Sequence, residues 1–153
     1  MKFQETNLKV QTPKHKSQNL KINRLLIHKI LTLFVSLVWL INGLFCKILN
    51  LVPRHQLIVS EILGPDISFI ATKTIGVLEI LMCIWILSGI KSRWCVLMQI
   101  GIILLMNCIE FMLVPYLLLF GRFNLIIAIF FTGSIAVNEF YFKLPKKDLI
   151  QAK

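Results

Sequence analysis

Lys47, Lys73, Glu79 and Glu110 stand within or at the edge of long runs of Leu, Ile, Val and Phe, and Asn42 and Asn107 lie among them. Such surroundings make ionisable groups expensive. At the centre of a membrane-crossing helix an Asp, Lys or Arg costs roughly 2.5–3.5 kcal/mol, whereas each Leu, Ile, Phe or Val gains only roughly 0.3–0.6. Side chains of this kind are expected to face a bundle interior and to find partners there. They mark an ion-pair network that fixes helix register, a ligand pocket, or a path for ions or protons. Two cations set against two carboxylates favour structure or a pocket over transport. Lys73 and Glu79 are six positions apart and so about 120° from each other around a helix. Each must therefore look to another helix. The expected pairs are Lys47 with Glu79, and Lys73 with Glu110 or with lipid headgroups. Glu139, further along the chain, is expected to meet Lys91 or Arg93.

Helical spacing sorts the polar residues onto single faces. Thr32, Ser36, Trp39, Gly43, Cys46 and Lys47 recur at three- and four-residue steps in the first apolar run, with Asn42 at the edge. Thr72, Gly76, Glu79 and Cys83 form a stripe in the second. Gln99, Asn107 and Glu110 do so in the third, and Asn124, Ala128, Thr132 and Glu139 in the fourth. Small and polar residues belong where helices touch inside a membrane, because they permit close approach and hydrogen bonding. These stripes predict an all-α, four-helix transmembrane bundle with a polar interior. Its candidate core or pocket comprises Trp39, Asn42, Gly43, Lys47, Lys73, Gly76, Glu79, Asn107 and Glu110.

The elements that position these residues follow from the apolar runs. Of 153 residues, 57% are hydrophobic and 16% charged, whereas globular chains have about 45–50% and 25%. That excludes a disordered chain and an ordinary water-soluble domain. The spans are expected at about Leu26 to Leu51, Ile67 to Ile90, Trp94 to Leu118 and Asn124 to Phe142, since roughly 20 residues cross a bilayer core. Pro53 closes the first. Arg54 to Gly64 is too short to cross and reads as a helix lying in the interface. Residues 1–24 form a basic tail with no apolar segment, so no cleavable signal peptide is expected. Residues 25–142 form the membrane domain and residues 143–153 a second basic tail.

The net charge of +10 could suggest nucleic acid, but its placement argues otherwise. Lys2, Lys9, Lys14, Lys16, Lys21, Arg24 and Lys29 precede or open the first span. Lys143, Lys146, Lys147 and Lys153 follow the last, and Lys91 and Arg93 occupy the short middle loop. Basic residues on those three segments place both termini in the cytoplasm. No nucleic-acid motif accompanies them, and no nucleic-acid partner is expected. Cys46, Cys83, Cys95 and Cys108 are scattered singly without a CxxC, and His15, His28 and His55 lack ligand spacing. No metal, nucleotide or thiol-redox motif is therefore indicated.

Trp39-Leu40-Ile41-Asn42-Gly43-Leu44-Phe45-Cys46-Lys47 followed by Pro53 resembles the opening of DoxX-like membrane proteins. Gly76-Val77-Leu78-Glu79-Ile80-Leu81, the short Gly89 to Arg93 connection, Pro115 and the Asn124-Leu125 start of the last helix continue the likeness over about residues 30–142. The resemblance implies a compact four-helix integral membrane protein. Trp39, Gly43, Lys47, Gly76 and Glu79 are the residues it carries over, as pattern positions and not catalytic ones. The family takes its name from a subunit associated with thiosulfate:quinone oxidation, and most members have no assigned activity.

The expected role is a non-catalytic membrane subunit or scaffold, in the inner membrane if the source is bacterial. It would bind a lipid or quinone in its interior and work with a membrane protein partner or as a homo-oligomer. A redox subunit acting with a quinone or sulfur-compound oxidoreductase is the first alternative, weakened by the missing thiol pair. An oligomeric transporter or channel is the second, weakened by the absence of inverted repeats with broken helices.

Overall fold

The computed structural model describes residues 12–121 and 123–144, with side chains from residue 18 onward. Lys2, Lys9, Arg122, Lys146, Lys147 and Lys153 lie outside the described residues, as do the side chains of Lys14, His15 and Lys16. Within the described residues the chain is all-α. Helix α1 (Thr12–Leu40) begins within the stretch read as a basic tail and runs on without a break as a π-helical stretch, Ile41–Ile48. A short helix α2 (Arg54–Leu63) follows, at the place expected for an interfacial helix. Then come α3 (Pro65–Ser88), α4 (Ser92–Leu113) and α5 (Phe123–Val137), the last ending in a π-helical turn, Asn138–Phe142. Four of these segments are long and apolar enough to cross a membrane: Gln18–Ile48, Pro65–Ser88, Ser92–Leu113 and Phe123–Phe142.

Local chemistry sets the boundaries. The wide i→i+5 hydrogen bonding that closes the first span ends with the Leu49 amide on the Leu44 carbonyl at 2.8 Å. Asn50 follows at φ 53°, a left-handed conformation that asparagine tolerates better than most residues. Pro65 opens α3 at its first position, where a missing amide costs nothing. Gly89, at φ 64°, provides the left-handed C-terminal cap of α3. The third span stops at Leu113, short of the expected Leu118. Pro115 disfavours helical geometry in the residue before it, and Val114 accordingly leaves the helix at φ −137° before a single 3₁₀ turn, Pro115–Leu117.

The helices assemble as two pairs. α1 and its π-helical extension pack antiparallel along α3, α2 lies against α3, and α4 forms a hairpin with α5. The two pairs join mainly at the end that carries the termini. There Val35, Trp39, Met82, Cys83, Cys95, Val96 and Ile135 make one buried cluster from all four long helices. The π-helical end of α5 is tied to α1 at the same level. His28 Nδ1 lies 3.0 Å from Asn138 Oδ1, and Asn138 Nδ2 donates to Thr32 Oγ1 at 2.9 Å. Arg24 bonds to the Tyr141 carbonyl and lies over its ring. The outward faces carry exposed Leu33, Leu78, Leu105 and Phe130, the apolar surface that lipid tolerates.

The buried stripes agree closely with helical spacing. Ser36, Trp39, Gly43 and Lys47 are buried on the first span; Thr72, Gly76 and Cys83 on the second; Gln99 on the third; Ala128, Thr132 and Glu139 on the fourth. Glu139 finds a different cation from the one expected. Lys91 and Arg93 are both exposed, and Glu139 Oε1 instead accepts from Ser92 Oγ at 2.6 Å and pairs with Lys143 Nζ at 2.7 Å. Lys143 sits one helical turn beyond Glu139, a neighbour position on the same face, and needs no reach across a loop.

Candidate functional site

Away from the terminal end the two helix pairs stand apart around a cavity of about 580 Å³. That is within the roughly 300–1,000 Å³ of small-molecule sites. Phe34 and Val38 of α1, Ile75 of α3, Ile102, Ile103 and Met106 of α4, and Ile127 and Phe131 of α5 form apolar walls. Trp39 closes the floor, where its Nε1 donates to Gln99 Oε1 at 3.2 Å and marks the border with the packed cluster below. The face of α2 that bears His55, Ile58, Val59 and Ile62 covers the other end.

The polar groups gather toward the covered end. Lys47 Nζ donates to Glu79 Oε1 at 2.5 Å, with the two side chains 9% and 15% exposed. This is the interhelical pair expected from the sequence. Taking both charges out of water costs several kcal/mol each, and a short, hydrogen-bonded contact is the geometry that offsets it. Glu79 Oε2 is buried and has no hydrogen-bond partner. Glu110 lines the same cavity, under the electrostatic influence of Lys47, Arg54 and Glu79, and its carboxylate makes no hydrogen bond or ion pair among the described residues. On the opposite wall Asn124 Nδ2 donates to Asn107 Oδ1 at 2.9 Å, joining α5 to α4, and Asn107 Nδ2 donates to the Ile103 carbonyl at 2.8 Å. Asn42 completes the polar lining from α1.

The pair is held where two backbones touch. A Cβ added at Gly43 would stand 2.6 Å from the Gly76 carbonyl oxygen, and one added at Gly76 2.9 Å from that of Gly43. Only glycine at both positions lets α1 and α3 come this close, and that approach puts Lys47 within reach of Glu79.

Six of the expected residues line the cavity: Trp39, Asn42, Lys47, Glu79, Asn107 and Glu110. Gly43 and Gly76 form the contact behind it. Lys73 does neither, and it does not pair with Glu110. Its ammonium bonds to the Ile48 carbonyl and lies 5.3 Å from the centre of the Phe69 ring. The last carbonyls of a helix lack intrahelical donors, and a lysine from the adjacent helix satisfies one at the point where α1 ends. Two polar lining residues were not singled out for the site from the sequence. Asn124 lay on the polar stripe of the last span without being joined to Asn107. His55 shares the i, i+3, i+4, i+7 face with Ile58, Val59 and Ile62, a periodicity that turns it inward once α2 is known to cover a cavity. Its pKa is held down to about 4 by burial, then by Lys47 and Arg54, so the imidazole is neutral near pH 7.

Four long apolar helices around a polar-ended cavity define a transmembrane helical-bundle protein. The sequence pattern of the DoxX-like family matches residues 36–132, well over half of the chain, and the chain belongs to that family. The matched stretch contains every residue expected for the site, from Trp39 to Glu110. No curated protein and no solved structure matches the chain.

Proposed function

We propose that this chain is a non-catalytic, multi-pass membrane subunit or scaffold that holds a lipid or quinone in its bundle interior, with both termini in the cytoplasm. The observation that carries the reading is the cavity itself: apolar walls of membrane-crossing helices, with ionic and amide groups collected toward one end. That division matches an amphiphile, whose chain needs only apolar contact and whose head needs a few placed polar groups. Orientation rests on the basic residues at the termini and at Lys91 and Arg93. The covered, polar end then lies in the outer half of the bilayer, and α2 in the outer interface. A partner in the membrane, or a second copy of the chain, would pack on the exposed apolar faces.

The test is the composition of the purified protein. Full-length chain extracted in mild detergent should carry a lipid or quinone in near-stoichiometric amount by mass spectrometry. Met106→Trp, which builds a ring into the cavity wall, should lose it. Wild-type protein as empty as the filled variant would overturn the reading.

A further inference from the structure

The cavity contains hydrogen-bonding capacity that its own residues leave unused. Lys47 and Glu79 spend one oxygen and one N–H on each other, which leaves Glu79 Oε2 buried and unpartnered. Glu110 offers two more oxygens that no described residue meets. An ionised carboxylate only accepts hydrogen bonds, and at Glu79 Oε2 a buried acceptor without a donor is costly. A head that merely accepts, such as a quinone ring carbonyl, satisfies the spare N–H groups of Lys47 and leaves these oxygens unmet. Among the lining residues one ammonium, Lys47, stands against two carboxylates, Glu79 and Glu110. An added anionic head would add to that excess of negative charge.

The walls indicate the route as well. The long helices α1 and α5 make little contact beside the cavity. Phe34 of α1 and Ile127 of α5 line it at this gap and are 55% and 47% exposed. Gly43 against Gly76 closes the α1–α3 side, and the Asn107–Asn124 hydrogen bond ties α4 to α5. α2 covers the polar end.

We infer that the ligand is an electrically neutral membrane lipid whose head donates hydrogen bonds to Glu79 and Glu110, and that it passes sideways from the bilayer between α1 and α5. This rests on the binding function proposed above and names the ligand class for it. A hydroxyl on a glycerol backbone and the ammonium of a zwitterionic head both supply the donors.

Native mass spectrometry of the full-length protein separates the possibilities. It would be offered, in turn, dioleoylglycerol, dioleoylphosphatidylethanolamine, dioleoylphosphatidylcholine, dioleoylphosphatidylglycerol and a ubiquinone. Either of the first two should be retained about tenfold or more over phosphatidylcholine, whose head has no donor; charge-assisted hydrogen bonds carry that much. Which of the two is preferred distinguishes hydroxyl from ammonium. Glu110→Leu removes an acceptor that no described residue uses and should erase the preference, while Ile127→Trp should slow loading without changing it. Glu79→Gln, which removes the other carboxylate, should weaken the preference too; should it fail to fold, Glu110→Leu alone still decides. Equal retention of phosphatidylcholine, or preference for phosphatidylglycerol or the quinone, would overturn this inference and leave the binding function standing. Retention of none of the five would overturn both.

Discussion

At the end of the bundle that carries the termini, side chains from all four long helices close on one another, with Ile135 only 2% exposed and Cys95 only 3%. At the opposite end the same helices stand apart around about 580 Å³ of space, and what holds them is ionic and amide contact and one glycine-on-glycine crossing. The difference lies in side-chain size and polarity, since each helix contributes to both ends. Where Val, Met, Cys and Ile face inward, they pack into one buried cluster, as close-packed protein interiors do. Where Lys47, Glu79, Asn107 and Glu110 face inward, only the first three find partners among the described residues, and apolar packing does not fill the gap between them.

The comparison breaks most sharply at the ion pair. Lys47→Ala leaves the Glu79 carboxylate buried and unpaired, and should lower unfolding stability in detergent by about 3–5 kcal/mol. Lys47→Leu with Glu79→Leu should recover much of that loss, because both charges then leave together. At the packed end Ile135→Ala should cost about 2–5 kcal/mol as a core cavity. The same truncation at Ile127, half-exposed beside existing space, should cost less. Gly43→Ala and Gly76→Ala force the backbones of α1 and α3 apart and should each cost about 1–3 kcal/mol. Gly101→Ala and Gly133→Ala meet nothing within 4 Å and should be neutral or slightly stabilising, since alanine is the better helix former. Thermal unfolding of the purified variants measures all of these.

The covered end also carries a pH dependence. His55 keeps its neutral form in the folded protein down to about pH 4, whereas an unfolded histidine takes up a proton near pH 6.5. Between those values the unfolded chain binds more protons. Stability should therefore fall as the pH is lowered from about 6.5 to 4 and be insensitive to this group above that window. His55→Gln should flatten that part of the profile.

Much of this arrangement was legible in the residues. Periodicity turned Lys47 and Glu79 toward each other because one helical face holds Trp39, Gly43 and Lys47, and another Thr72, Gly76 and Glu79. The glycines were visible as small residues on those faces, and the structure adds that they meet each other. Spacing could not reveal that α1 ends in a π-helical stretch, for that wider bonding leaves no mark in the apolar pattern. Nor could it assign Lys73, whose partner is a backbone carbonyl exposed only by the way α1 terminates. His55 was hidden for a related reason. An amphipathic segment too short to cross a membrane says which of its faces is apolar, and only the tertiary fold says that the face covers a cavity. The end of the third span was misplaced by five residues because the apolar composition continues through Pro115 while the helix does not.

Photocrosslinking reports whether membrane lipid occupies the space between the two helix pairs. A lipid with a photoactivatable group in its acyl chain, incorporated with the full-length protein into nanodiscs, should label Met106, Ile103 and Ile127 as well as the outward Leu105 and Phe130. Met106→Trp should abolish labelling at Ile103 and leave that at Leu105 and Phe130 unchanged. Labelling confined to the outward residues in the wild-type protein would contradict the account.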